Sequence, residues 1–126
     1  MAEVAAFKDG TSERPIPSLW RPALRGIVAA FVKGDFLLAE DIAGVEAVSQ
    51  KTASHIQSYL RDYGATLEPL PDAAWDSSVC IWTGTHWDFL VDLYTQEEGP
   101  SDLVLSGRVT DTSSGFKIAV HMVHVP

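Results

Sequence analysis

From Val79 to the last residue, apolar and polar side chains alternate in twos, and each run breaks at a short stretch of turn-forming residues. This pattern constrains the fold more than any other feature of the chain. It predicts strands near 78–84, 86–95, 102–110 and 116–125. Gly84-Thr85, the Glu98-Gly99-Pro100-Ser101 tip and the DTSSG stretch at 111–115 supply the turns. Links this short leave no room for a crossover helix, so the strands are expected to be sequential antiparallel neighbours, a meander.

Alternation then sorts the side chains between two faces. One face carries Trp87, Phe89, Val91 and Leu93, then Leu103, Leu105 and Val109, then Phe116, Ile118, Val120 and Met122. It is almost wholly apolar and has to be covered. The other face is mixed: Asp88, Leu90, Asp92 and Tyr94; Val104, Ser106 and Arg108; Lys117, Ala119, His121, Val123 and Val125. A face open to water should be more polar than this. It is therefore expected to lie under the leader, to meet a second subunit as a homodimer, or to form a shallow binding surface.

Upstream the period is helical. Leu24, Ile27, Val28, Phe31 and Val32 recur as one apolar stripe, with Ser18 as the expected N-cap, Pro22 in the first turn and Gly34 as terminator. A helical turn is expected around Leu37 to Asp41, ended near Gly44. Ser49 caps a second helix from Gln50 to Tyr63, which turns Ala53, Ile56, Leu60 and Tyr63 inward and stops at Gly64. Pro15 and Pro17 mark residues 1–17 as a flexible leader before a single domain, 18–126. The expected fold class is α+β, with two N-terminal helices packed on one face of a four-stranded antiparallel meander sheet.

Charge narrows the partners. The net charge is −8, and no lysine or arginine occurs between Arg61 and Arg108. That gap holds nine acids: Asp62, Glu68, Asp72, Asp76, Asp88, Asp92, Glu97, Glu98 and Asp102. Such a field repels phosphate backbones, so no nucleic-acid partner is expected. It suits a basic protein partner, a cationic ligand or a metal ion. No apolar stretch approaches the roughly 20 residues of a membrane helix, and no membrane association is expected. The N-terminus lacks the pattern of a secretory signal, and the single Cys80 allows no internal disulfide, so the expected compartment is the cytoplasm.

No catalytic constellation is legible. Asp92, Glu97, Glu98 and Asp102 offer carboxylate oxygens, yet "DLYTQEEGPSDL" lacks the order of an EF-hand loop, and no metal or cofactor is expected. Asp88 and Asp92 lie four apart on one strand, roughly 13 Å at ~3.3 Å per residue. That separation is too wide for a glycosidase pair, so either is better read as paired with Arg108 or Lys117 across the sheet. His121 and His124 are expected on opposite faces, which keeps them from sharing a metal. His121 could join Asp92 and Tyr94 in a polar cluster, and Cys80 has no activating neighbour in the sequence. Trp75 and Trp82 are candidates to line a pocket between helices and sheet. The candidate binding residues are thus Asp88, Asp92, Tyr94, Glu97, Glu98, Asp102, Arg108, His121, Trp75 and Trp82.

The blocks "WDSSVCIWTGTHWDFLVDLYTQEEGPSDLVLSGRV" and "HMVHVP" resemble those of a family of short, uncharacterised bacterial proteins, from about Pro17 to the end. The resemblance implies a bacterial source and a free-standing domain, and it transfers no catalytic residue. The stretch "VKGDFLLAED" after the first helix is similar to the opening of cystatin-like, NTF2-like domains, which wrap a sheet around a pocket. A small acidic α+β chain also resembles an immunity protein that neutralises a basic toxin. The expected function is a non-enzymatic module for a basic protein partner, and the alternative is a small-molecule or enzymatic pocket between helices and sheet.

Overall fold

The computed structural model describes residues 3–126. The chain runs β1 (Arg14–Pro15), α1 (Arg21–Val32), α2 (Gln50–Tyr63), β2 (Val79–Trp82), β3 (Trp87–Thr95), β4 (Gly99–Thr112) and β5 (Gly115–His124). Short 3-10 turns span Ser18–Trp20 and Asp72–Asp76. The fold is α+β, with one sheet in the order β1-β2-β3-β4-β5 and every neighbouring pair antiparallel. The sheet has five strands rather than the expected four. The extra one comes from the segment read as a leader: Arg14 lies opposite Cys80, and Pro15 opposite Val79. A proline is tolerated there because β1 is an edge.

Val4 and Phe7 of the same segment are also tied down. Trp87 Nε1 donates to the Phe7 carbonyl at 3.0 Å, and the Trp87 ring meets Trp20 edge-on at 5.2 Å between centroids. Ser18 does not cap α1. Its Oγ accepts from the Val4 amide at 2.7 Å, and a 3-10 turn leads into the helix instead. In α2 the expected caps form: Ser49 Oγ accepts from the Thr52 amide at 3.1 Å, and Gly64 takes a left-handed conformation at φ 81°.

The helical turn expected at Leu37 to Asp41 is absent. That segment leads instead to the exposed edge of β5, where the Ile118 amide donates to the Gly44 carbonyl at 2.7 Å and the Glu46 amide to the Ile118 carbonyl at 2.8 Å. An edge strand needs backbone partners, and this demand overrides weak local helix propensity. The β3–β4 tip is also displaced from its expected place. β4 begins at Gly99, opposite Thr95, so the loop is Gln96 to Glu98.

One buried cluster draws on Ile16, on Leu24, Ile27 and Phe31 of α1, and on Ile56 and Leu60 of α2. From the sheet it takes Phe89, Val91, Leu105, Val109, Ile118 and Val123. Each such side chain contributes about 1.5–3 kcal/mol when fully buried.

The β4–β5 register shifts once. Gly107 pairs with Val120 while Ser106 pairs with Met122, so His121 is an extra residue on β5. Beyond it the parity reverses. Val123 turns inward and is fully buried, whereas Met122 and His124 turn outward, against the expected assignment. Gly107 permits this packing. A Cβ there would lie 2.6 Å from Cζ of the Phe89 ring and would also strike the Ala119 carbonyl. Among the described residues no helix is long and apolar enough to cross a membrane.

Candidate functional site

The strand registers place the outward side chains in three rows. Ile81, Asp88, Arg108 and Ala119 lie opposite one another across β2 to β5. Val79, Leu90, Ser106 and Met122 form the next row, and Asp92, Val104 and His124 the third. Apart from Ser106 the middle row is apolar, with Asp88 and Asp92 in the rows on either side of it. A groove of about 470 Å³ crosses this face, with Glu13, Ile81, Asp88, Leu90, His121 and His124 on its walls. The two histidines share it because the bulge turns both to one side. Sequence parity had set them apart, and the extra residue is the physical reason that expectation fails.

Asp88 faces Arg108 in register, as expected, but the contact its carboxylate makes is to His86, with Nε2 and Oδ1 3.1 Å apart. Arg108 is exposed. Burial, then the nearby Arg108 charge, hold the His121 pKa below its ordinary value, and Asp88 opposes them only in part. His121 is therefore neutral at pH 7. Nδ1 of His124 is buried and meets no protein partner.

The acidic hairpin tip is a clamp. Glu97 accepts from the Thr66 amide at 2.8 Å, and the Tyr63 hydroxyl donates to Glu98. The Gln96 amide donates to the Thr66 carbonyl, and the Glu68 amide to Tyr94, at 2.9 Å each. The tip thus fastens the segment after α2 along the free end of β3. The amide bond lowers the Glu97 pKa, and the Glu98 acceptor raises that of Tyr63. Asp102 is exposed nearby on β4, and Asp92 lies further along β3, where its amide donates to the buried Ser78 hydroxyl at 2.9 Å.

Trp75 and Trp82 lie apart from this face and from each other. Trp75, in the second 3-10 turn, packs beneath Arg21 and Arg25. Trp82 leans on Trp87 at 4.7 Å between centroids, with Lys8 over its ring. The structure therefore brings Asp88, Asp92, Arg108 and His121 onto one face, groups Glu97, Glu98 and Asp102 at the hairpin end with Tyr94, and separates both tryptophans. Sequence reasoning missed His86 as the contact of Asp88, and Glu13 and His124 as sharing its groove. His86 was legible two residues from Asp88 on the same face. Glu13 and His124 depended on the edge strand and the bulge, which leave no mark in the residue pattern.

The Cys80 thiol donates to the Pro15 carbonyl, and burial pushes its pKa up to about 11, so it is not a thiolate. Among the described residues no three His, Cys, Asp or Glu side chains converge to hold a metal.

A family model for a domain of unknown function, DUF7668, matches residues 28–126. The chain belongs to the DUF7668 family. No curated protein and no solved structure matches it. The matched span contains β2 to β5, and with them every groove residue except Glu13, which precedes it on the segment leading into β1.

Proposed function

We propose that this DUF7668 protein is a non-enzymatic binding module whose outer sheet face receives a basic protein partner. Both helices lie against the inner face in this reading, which leaves the outer one for recognition. The observation that supports it is the groove itself: an apolar floor at Val79, Ile81 and Leu90 bordered by Glu13 and Asp88, with Asp92 in the adjoining row, in a chain of net charge −8. Apolar floors supply affinity, and a surrounding field of one sign supplies steering and partner choice. His86, His121 and His124 stand among these carboxylates and beside Arg108. When His121 charges on acidification, the attraction for a basic surface falls.

The test compares the wild type with an Asp88→Lys/Leu90→Arg variant as immobilised bait. A captured protein supports the reading only if it is basic, binds the purified wild type directly, weakens as salt rises, and binds the variant at least roughly tenfold less. A wild type that captures nothing the variant does not, and stays monomeric in light scattering, overturns it. A concentration-dependent dimer abolished by the variant overturns it in favour of self-association through this face.

A further inference from the structure

On the far side of β1 from the groove's lining, a second cleft of about 680 Å³ opens between the leader, α1 and the second 3-10 turn. It shares no lining residue with the outer-face groove. Its principal walls are Ser18, Arg21, Arg25, Asp72, Trp75 and Asp76. Two of the chain's nine basic residues therefore meet at one indole ring, with guanidinium carbons 5.3 Å (Arg21) and 5.6 Å (Arg25) from the Trp75 centroid.

Each cation is held in place. Nε and Nη2 of Arg21 both donate to the Ile16 carbonyl, at 3.0 and 2.9 Å. Arg25 is paired with Asp72. Both bonds leave guanidinium N–H groups uncommitted, since each arginine carries five. The Ser18 hydroxyl accepts from Val4 and keeps its own proton to donate. Beneath them Trp75 is only 6% exposed, and its Nε1 is buried with no protein partner. A buried indole N–H normally has one. The cleft thus gathers arginine and serine donors above a buried indole, while Asp72 is already occupied by Arg25.

We propose that this cleft binds a small organic anion, a carboxylate or a phosphate ester. The uncommitted guanidinium N–H groups and the Ser18 hydroxyl hold its oxygens, above the Trp75 ring on which both arginines rest. Arginine forks match carboxylate and phosphate oxygens in pairs, and this is why two of them at one ring select an anion. Asp76, on the rim, favours ligands that also carry an amine or hydroxyl.

The experiment follows the Trp75 indole resonance by 1H–15N NMR, assigned with Trp75→Phe, while citrate, inorganic phosphate and adenosine monophosphate are titrated at constant ionic strength. The expected result is a saturable shift of the Trp75 signal with at least one probe. Binding should weaken roughly tenfold in Arg25→Gln, and similarly in Arg21→Lys, with dispersed spectra retained. Citrate alone identifies a carboxylate, both phosphates an inorganic-type site, and the nucleotide alone an organic phosphate. Two results overturn the proposal: no saturable shift with any probe in the millimolar range, or equal shifts in the wild type and both arginine variants. Because the groove variant Asp88→Lys/Leu90→Arg leaves this cleft untouched, it should titrate like the wild type, so the two proposals fail separately.

Discussion

Replacing Gly107 by alanine tests the packing on which the outer face depends. The added methyl would lie 2.6 and 2.9 Å from Cζ and Cε2 of Phe89 and would press on the Ala119 carbonyl behind. Neither obstacle yields easily. Phe89 is 1% exposed, with its ring set within the core, and the carbonyl is backbone of β5 beside the bulge. Overpacking a filled interior costs about 1–3 kcal/mol. Two simultaneous clashes place Gly107→Ala near the top of that range, at about 3 kcal/mol. In a domain of this size that is a fall of about 10 °C in Tm. Urea denaturation followed by tryptophan fluorescence and far-UV circular dichroism should show a lower midpoint at an unchanged slope. Repeating the substitution in a Phe89→Leu background apportions the loss, because the smaller side chain relieves one clash and leaves the other. The expected coupling is about 1 kcal/mol. A loss under about 0.5 kcal/mol in the wild-type background, or equal losses in both backgrounds, would refute the account of Gly107 as a seat for the Phe89 ring.

Ser49→Ala removes the α2 cap and should lower stability by about 1 kcal/mol in the same urea assay, with the Ser18→Ala effect on α1 smaller because Ser18 caps nothing. Glu97→Gln should flatten the acid limb of the stability profile. The folded Glu97 pKa is depressed below its ordinary 4.5, so its contribution is full above that value and is lost as pH falls through the folded one. Tm against pH for both proteins should therefore differ at pH 7 and converge as pH falls below 4.5 and through the folded value. His121 carries the same sign, since a depressed histidine pKa favours the neutral form in the fold; His121→Asn should lessen the stability lost as pH drops below 6.5. Cys80 should resist iodoacetamide at pH 8 in the native protein and react only after urea is added, as read by mass spectrometry.

The fold was legible where one physical demand dominated. Antiparallel strands joined by turns of two to four residues can only be neighbours, so the order β2-β3-β4-β5 followed from turn spacing alone. The α2 boundaries followed from Ser49 and Gly64, each of which has one clear role at a helix end. The failures share a different cause. β1 is two residues long and holds a proline, so no local pattern can reveal it; its pairing is decided by the open edge of β2. The bulge at His121 escaped because "AVHMVHV" is apolar at both parities, and alternation cannot fix a register when either choice buries a valine. Of the candidate site, Asp88, Leu90, Asp92 and Arg108 were placed on the outer face from sequence because β3 alternates without interruption there. His124 was not, since it lies beyond the bulge.

The acidic middle segment needs the same separation of local from tertiary demand. Its nine acids read as one undivided field in the sequence. In the fold several are committed internally: Asp72 to Arg25, Glu97 to the Thr66 amide, Glu98 to Tyr63 and Asp88 to His86. Carboxylates spent on amides and hydroxyls keep their charge but lose freedom to reorganise around a partner. Glu68, Asp76, Asp92 and Asp102 hold no such bond among the described residues, and Asp92 is the one of these four that stands in the outer rows beside the groove floor. A basic partner seated on that floor would therefore meet Asp92 as an uncommitted carboxylate and Asp88 as one shared with His86. Asp92→Asn should then weaken such a complex mainly through the loss of charge, whereas Asp88→Asn should weaken it further, because it also removes the contact that positions His86. Equal losses of affinity in the two variants would show that the His86 contact to Asp88 takes no part in seating the partner.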